Sequence, residues 1–203
     1  MKNKLIFITI LILNTFMCKQ PNYETIYIPE EMKTYIDFPV GSYWVYKDSV
    51  TSEIDSFYLN KSDIYFDRGP EGESFEFECL EQFYYNEKSH DSIRGAGIRY
   101  YTNIGLYYDS YFDSRFFNNT KEGDTIRING VNIIHKKTLP SLIISGNEFN
   151  NVILFVEGNY RSCYWCKNIG IVRHEIYKIE NEIGSAFIDT LIINNLTNYK
   201  INN

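Results

Sequence analysis

The chain has 203 residues, of which 44% are hydrophobic and 17% aromatic, and its formal net charge is -6 at pH 7. This apolar content excludes a disordered chain, and the negative charge excludes the basic surface typical of nucleic-acid binding. Alanine, the strongest helix former, occurs only twice, whereas isoleucine, tyrosine and phenylalanine are abundant. The composition therefore predicts a globular, strand-rich protein without a nucleic-acid partner.

The first seventeen residues predict a secretory signal peptide, because a cationic start is followed by an apolar run over 5–13 that is too short to span a membrane. Cys18 follows directly, which resembles a bacterial lipoprotein precursor, in which this cysteine is acylated and becomes the mature N-terminus. Thr15, Phe16 and Met17 depart from the usual cleavage box. The alternative is that Cys18 is an ordinary apolar residue of a discarded or uncleaved peptide.

Lipidation at Cys18 would fix the cellular location of the protein. Removing 1–17 takes away two of the 20 basic residues and none of the 26 acidic ones, so the net charge falls by two, to -8. We expect a lipid-anchored protein of the cell envelope, at the outer membrane. The sequence does not distinguish the periplasmic face of that membrane from the cell surface. The acidic body of the protein should stand off anionic headgroups.

The remaining sequence predicts one short helix and many strands. Residues 18–40 are expected to form a lipid-anchored tether with a short helix or strand, and 29–35 suits a short helix. Residues 41–203 are expected to form a single all-β domain, an antiparallel sheet system of about ten strands built as a sandwich or a strongly curved half-barrel. Asn129-Gly130 lies between two β-rich runs, 125–128 and 131–134, and is typical of a hairpin turn. A separate closing strand is expected at 198–201.

Three passages resemble a family of uncharacterised lipoproteins from Bacteroidota. Residues 38–49 read FPVGSYWVYKDS, residues 146–152 read GNEFNNV before IGIVR at 169–173, and residues 196–201 read LTNYKI. The resemblance covers most of 38–201 through short motifs. It implies an all-β, envelope-attached protein, and more loosely a shape similar to half-barrel lipoprotein carriers. It carries over no catalytic residue.

Three cysteines besides Cys18 are candidates for a disulfide or a reactive thiol: Cys79, Cys163 and Cys166. One hypothesis is thiol–disulfide exchange by the C-x-x-C pair, but the β-rich sequence after Cys166 lacks the helix that usually lowers a thiol pKa. The other is a structural bridge from Cys79 to Cys163 or Cys166, which an oxidising compartment permits.

The histidines predict no metal site, because His90, His135 and His174 lack the spacing of metal ligands. His174 is expected to face solvent beside Arg173. No nucleophile elbow, phosphate loop or dinucleotide motif is present in the sequence. We therefore expect no cofactor, no metal and no catalytic residue.

Pairs of neighbouring aromatic residues suggest a binding surface. Adjacent residues of a strand point to opposite faces, so if one ring of a pair lies in the core, the other is exposed to solvent. The candidate pairs are Tyr84–Tyr85, Tyr100–Tyr101, Tyr107–Tyr108 and Tyr164–Trp165. Exposed tyrosines beside carboxylates suit a peptide, a glycan or another envelope protein, although cross-strand aromatic pairs also occur without a function. The sequence thus favours a binding or assembly module over an enzyme. The alternatives are a redox lipoprotein and a carrier of apolar molecules.

Overall fold

A computed structural model gives the fold. It describes residues 23–68, 75–87, 91–94, 99–101, 104–109, 114–117, 120–128, 130–158, 160–182 and 185–202. The expected signal peptide, Cys18 and His90 lie outside these residues. The described elements are β1 (Glu24–Ile26), α1 (Glu30–Ile36), β2 (Tyr43–Asp48), β3 (Ile54–Arg68), β4 (Phe75–Asn86), β5 (Asp91–Arg94), β6 (Arg99–Tyr101), β7 (Ile104–Asp109), β8 (Ser114–Phe117), β9 (Thr125–Ile128), β10 (Val131–Ile144), β11 (Asn147–Glu157), β12 (Arg161–Cys166), β13 (Gly170–Glu182) and β14 (Ser185–Lys200).

Eleven of these strands form one open sheet, in the order β1-β4-β3-β2-β14-β13-β12-β11-β10-β9, with β5 also paired to β4. Strands β6, β7 and β8 form a separate three-stranded sheet. In the main sheet β1 runs parallel to β4, and the other described pairs are antiparallel. The prediction of an all-β, mainly antiparallel fold is confirmed.

The main sheet is strongly curved. Strands β11 and β14 are separated by β12 and β13, which would place them about 14 Å apart in a flat sheet. The rings of Phe149 on β11 and Tyr199 on β14 nevertheless lie with their centroids 6.3 Å apart. The indole Nε1 of Trp44 on β2 donates a hydrogen bond to the carbonyl of Ile169 at 2.6 Å. Ile169 directly precedes β13, so this hydrogen bond also connects two strands that have another strand, β14, between them. The sheet therefore bends around an inner side.

Helix α1 lies on the inner side of this curve. It begins after Pro29 with two glutamates in its first turn, where acidic groups favour the helix dipole. Its Met32, Tyr35 and Ile36 are buried. The backbone N–H of Asn168 donates to the carbonyl of Thr34 at 2.6 Å and ties the helix to the β12–β13 turn. The predicted short helix is confirmed.

Strand β1 and helix α1 belong to the packed body of the molecule. The expected domain boundary at Gly41 is not visible in this packing, because Ile28 and Phe38 enter the same hydrophobic core as the strands that follow. The described part of the expected tether therefore packs with the domain. The inner side of the sheet is defined below as the side on which α1 packs, and the outer side as the opposite one.

Two local predictions can be compared with the strands directly. The hairpin at Gly130 is confirmed, because Ile128 pairs with Val131 and Gly130 has a φ of 84°. The expected separate strand at 198–201 is wrong. Strand β14 continues to Lys200 through a bulge between Leu196 and Asn198, pairing first with β13 and then with β2.

Candidate functional site

The outer side of strands β2, β3 and β4 carries a row of tyrosines. Tyr43 pairs with Tyr58, which pairs with Tyr85, so the three side chains follow one another across the strands on one face. The rings of Tyr43 and Tyr58 lie with their centroids 5.7 Å apart. Their neighbours along the strands, Trp44 and Phe57, are buried on the inner side.

A bulge in β3 determines which side chains continue this face along the strand. The register shifts between Leu59 and Lys61, so Lys61 pairs with Phe83 and its side chain stays on the outer side. The Lys61 ammonium lies 5.3 Å from the Phe83 ring centroid, and it also forms an ion pair with Asp63. Tyr65 follows on the same side and is 40% exposed.

These residues form a continuous surface, which we call the outer aromatic face. It consists of Tyr43, Tyr58, Tyr65, Phe83 and Tyr85, with Lys61 and Asp63 between the rings. From Tyr58 to Tyr65 it extends about 20 Å along β3. Rings that present both an apolar body and a hydroxyl, mixed with a few charges, are typical of protein-binding surfaces.

The sequence predicted part of this face. Tyr84 and Tyr85 do point to opposite sides, since Tyr84 packs on Trp44 with a centroid distance of 5.8 Å while Tyr85 joins the outer row. Tyr164 is half-buried and Trp165 is buried, so that pair does not form an exposed surface. The side chains at 100–101 and 107–108 lie outside the described residues.

Four residues of the outer aromatic face were missed by the sequence reasoning: Tyr43, Tyr58, Tyr65 and Phe83. For Tyr43 and Tyr58 the signal was present in the alternation of β2 and of early β3. The same alternation on β4 places Phe83 on the side of Tyr85, whereas the outward direction of Tyr65 depends on the bulge at Asn60 and on the pairing of β3 with β4. Neither feature has a local sequence signature of its own.

The C-x-x-C pair is not arranged for a disulfide. Cys163 and Cys166 lie on one extended strand, where residues three apart point to opposite faces and their Cα atoms are about 10 Å apart. A disulfide requires Cα atoms within about 7 Å. Both cysteines are buried, and neither is part of a disulfide.

The Cys166 thiol is also poorly suited to nucleophilic chemistry. Burial raises its pKa to about 11, and a backbone hydrogen bond with Asn150 opposes this shift only in part. The reactive thiolate would therefore be scarce at neutral pH.

The expected bridge from Cys79 to Cys163 or Cys166 is not formed, and the three cysteines are buried without a disulfide between them. Cys79 lies on β4, and four strands, β3, β2, β14 and β13, separate it from β12 in the sheet. Cys79 also shares the outer side with Tyr65, its partner in the ladder. The long-range sheet order therefore explains the missing bridge.

The two described histidines are buried. His174 is only 2% exposed, so the expectation that it faces solvent is wrong. It lies opposite Cys163, which is opposite Phe155, in a buried row across β11, β12 and β13. Within the described part of the chain, no group of three or more His, Cys, Asp or Glu side chains is placed to hold a metal ion.

A polar cluster lies on β13, where a buried carboxylate accepts hydrogen bonds from two side chains of the same strand. Glu175 accepts a hydrogen bond from Arg173 Nε at 2.5 Å and another from the Tyr177 hydroxyl. Burial and this hydrogen bond raise the pKa of Tyr177 to about 12. Because its groups bind one another, this cluster stabilises the sheet and offers no vacant position for a ligand.

Comparison with known proteins adds no assignment: no family model, no curated protein and no solved structure matches this chain. Among the residues that the structure describes, no helix is long and apolar enough to cross a membrane.

Proposed function

We propose that this protein is a lipid-anchored module of the cell envelope, at the outer membrane, that binds another envelope protein through its outer aromatic face. The observation that carries the proposal is the tyrosine row on the outer side of β2, β3 and β4, in which Tyr58 is exposed and its two neighbours are half-buried, continued by Lys61, Asp63 and Tyr65. The signal-peptide pattern and Cys18 support the location. The resemblance to Bacteroidota lipoproteins points the same way.

A protein partner is favoured over a glycan by the composition of the face. Four of its five rings are tyrosines, and tyrosine is enriched in the cores of protein interfaces. Tyr58 and Tyr65 are 38% and 40% exposed, and their hydroxyls can bind polar groups of a partner while the rings pack on its apolar atoms.

The alternatives receive less support. Redox exchange needs a C-x-x-C pair within disulfide reach, and β12 holds the two thiols apart. A carrier of apolar molecules needs an open inner side, whereas Met32, Ile36 and Phe38 pack there against the sheet.

Photo-crosslinking in intact cells tests the proposal. Replacing Tyr58 by p-benzoylphenylalanine should give one discrete adduct with another protein. Adding Tyr85→Ala to that chain should reduce the adduct about tenfold, the loss expected when a central interface ring is removed. The matched control places the same photoreactive residue at Ile143, a 72% exposed position on β10 that lies far from the face in sheet order.

The same adduct from both positions, or an adduct that survives Tyr85→Ala in a chain with unchanged thermal unfolding, would contradict the proposal. Co-sedimentation with peptidoglycan that is lost in Tyr58→Ala, without any protein adduct, would assign the face to a glycan instead.

A further inference from the structure

A second exposed apolar surface lies on the inner side of the β3–β4 hairpin, beyond the end of helix α1. Tyr27, Ile64 and Phe66 are 62%, 50% and 50% exposed. The rings of Tyr27 and Phe66 meet edge to face with centroids 6.2 Å apart. We call these three residues the inner patch.

The side of the sheet follows from the ladder. Phe66 pairs with Glu78, and Ile64 pairs with Leu80, so both share a face with those two residues of β4. Glu78 accepts hydrogen bonds from the backbone N–H of Ile28 and from Lys33 of helix α1. The inner patch is therefore on the side of α1, opposite the outer aromatic face on the same two strands.

The patch lies where the described chain begins. Strand β1 pairs with the start of β4, and the guanidinium of Arg68 lies 4.7 Å from the ring centroid of Tyr23. Tyr23 is five residues after Cys18. An extended segment of five residues spans at most about 17 Å, so an acyl group on Cys18 keeps this end of the hairpin close to the membrane surface.

We propose that the inner patch rests on the lipid surface, so that Tyr27, Ile64 and Phe66 enter the headgroup region beside the anchor. This inference depends on the lipid anchor of the proposed function. Tyrosine rings favour the membrane interface, and Arg68 supplies a cation for lipid phosphates at the same edge. Glu76, which pairs with Arg68 and lies on the same side as Phe66, disfavours an anionic surface, so the occupant is a zwitterionic one.

The contact orients the molecule. With the inner patch on the lipid, the opposite side of β3 and β4 faces away from the membrane, and this side carries the outer aromatic face. The expectation that the acidic body stands off the membrane then holds for the rest of the surface, while the hairpin end makes contact.

Tryptophan fluorescence on vesicles tests the orientation. The mature lipidated protein carrying Phe66→Trp is incorporated into phosphatidylcholine vesicles whose acyl chains are brominated close to the headgroups. We expect about twofold loss of the emission added by the substitution, because interfacial side chains reach this depth. Tyr27→Trp should behave in the same way. The matched control is Ile143→Trp on β10, a 72% exposed position whose emission should not change.

Flotation of the vesicles separates the two proposals. Protein that fails to float would overturn the lipid anchor, and with it the orientation. Protein that floats while Phe66→Trp and Tyr27→Trp resemble the control would overturn only the membrane contact. Emission that is shielded from aqueous acrylamide but not quenched by bromolipid would show that a second copy of the protein covers the patch, and would also overturn the membrane contact.

Discussion

His135 is the residue whose surroundings give the clearest pH dependence. Its Nδ1 lies 3.0 Å from Thr120 Oγ1, its Nε2 lies 2.9 Å from Thr138 Oγ1, and the Phe155 ring centroid is 5.2 Å from its own. Burial lowers the pKa of His135 below its usual 6.5, although the hydrogen bond with Thr120 and the charges of nearby acidic residues oppose this shift.

A histidine with a lowered folded-state pKa destabilises the fold in acid. The unfolded chain takes up a proton near its ordinary pKa of 6.5, while the folded chain stays neutral until a lower pH. The stabilisation is therefore complete above pH 6.5 and is lost as pH falls through the folded pKa. Urea unfolding of the wild type and His135→Gln between pH 7.5 and 5 should show a steeper decline in the wild type. Parallel curves would contradict this assignment.

Helix α1 can be tested as an element, because its two sides differ sharply in burial. Met32 has no exposed surface, whereas Glu31, the residue before it, is exposed. Met32→Ala should lower the free energy of unfolding by about 2–5 kcal/mol, through lost burial and the cavity left behind. Glu31→Ala should change it by less than about 0.5 kcal/mol. Urea denaturation measures both, and equal effects would show that the helix does not pack on the sheet.

The same elements show which parts of the fold a sequence can predict. Helix α1 and the Gly130 hairpin have local signals: proline and acids at a helix start, and glycine between two β-rich runs. The expected break before residue 198 failed, because β14 changes partners from β13 to β2 within one continuous strand. A change of partner depends on residues far away in the chain, so periodicity alone misses it.

At the scale of the whole molecule, two halves of the sheet meet at one seam. Strands β1 to β5 lie on one side and β9 to β14 on the other, joined through the pairing of β2 with β14. Asp48 reinforces this seam, since it accepts hydrogen bonds from the backbone N–H groups of Val50 and Ile193. Burial acts to raise the pKa of Asp48, but these hydrogen bonds outweigh it and lower the pKa.

The hydrophobic core crosses the seam. Trp44 and Tyr46 of β2 donate hydrogen bonds to the carbonyls of Ile169 and Ile171 in the other half. Leu196 of β14 has no exposed surface and pairs with Tyr46. Neither half can expose this shared core without losing much of its own burial, so we expect the two halves to unfold together.

Alkylation of the buried thiols can be used to follow the unfolding of both halves of the sheet in one experiment. Cys79 belongs to the first half, and Cys163 and Cys166 belong to the second. Without reductant, an alkylating reagent should leave all three unmodified in the native protein and modify all three at one common urea midpoint, as read by peptide mass mapping. Modification of Cys79 at lower urea would show that the halves separate. A single reactive thiol after full denaturation would reveal a disulfide and contradict the three free thiols, because only reduction would then release the other two.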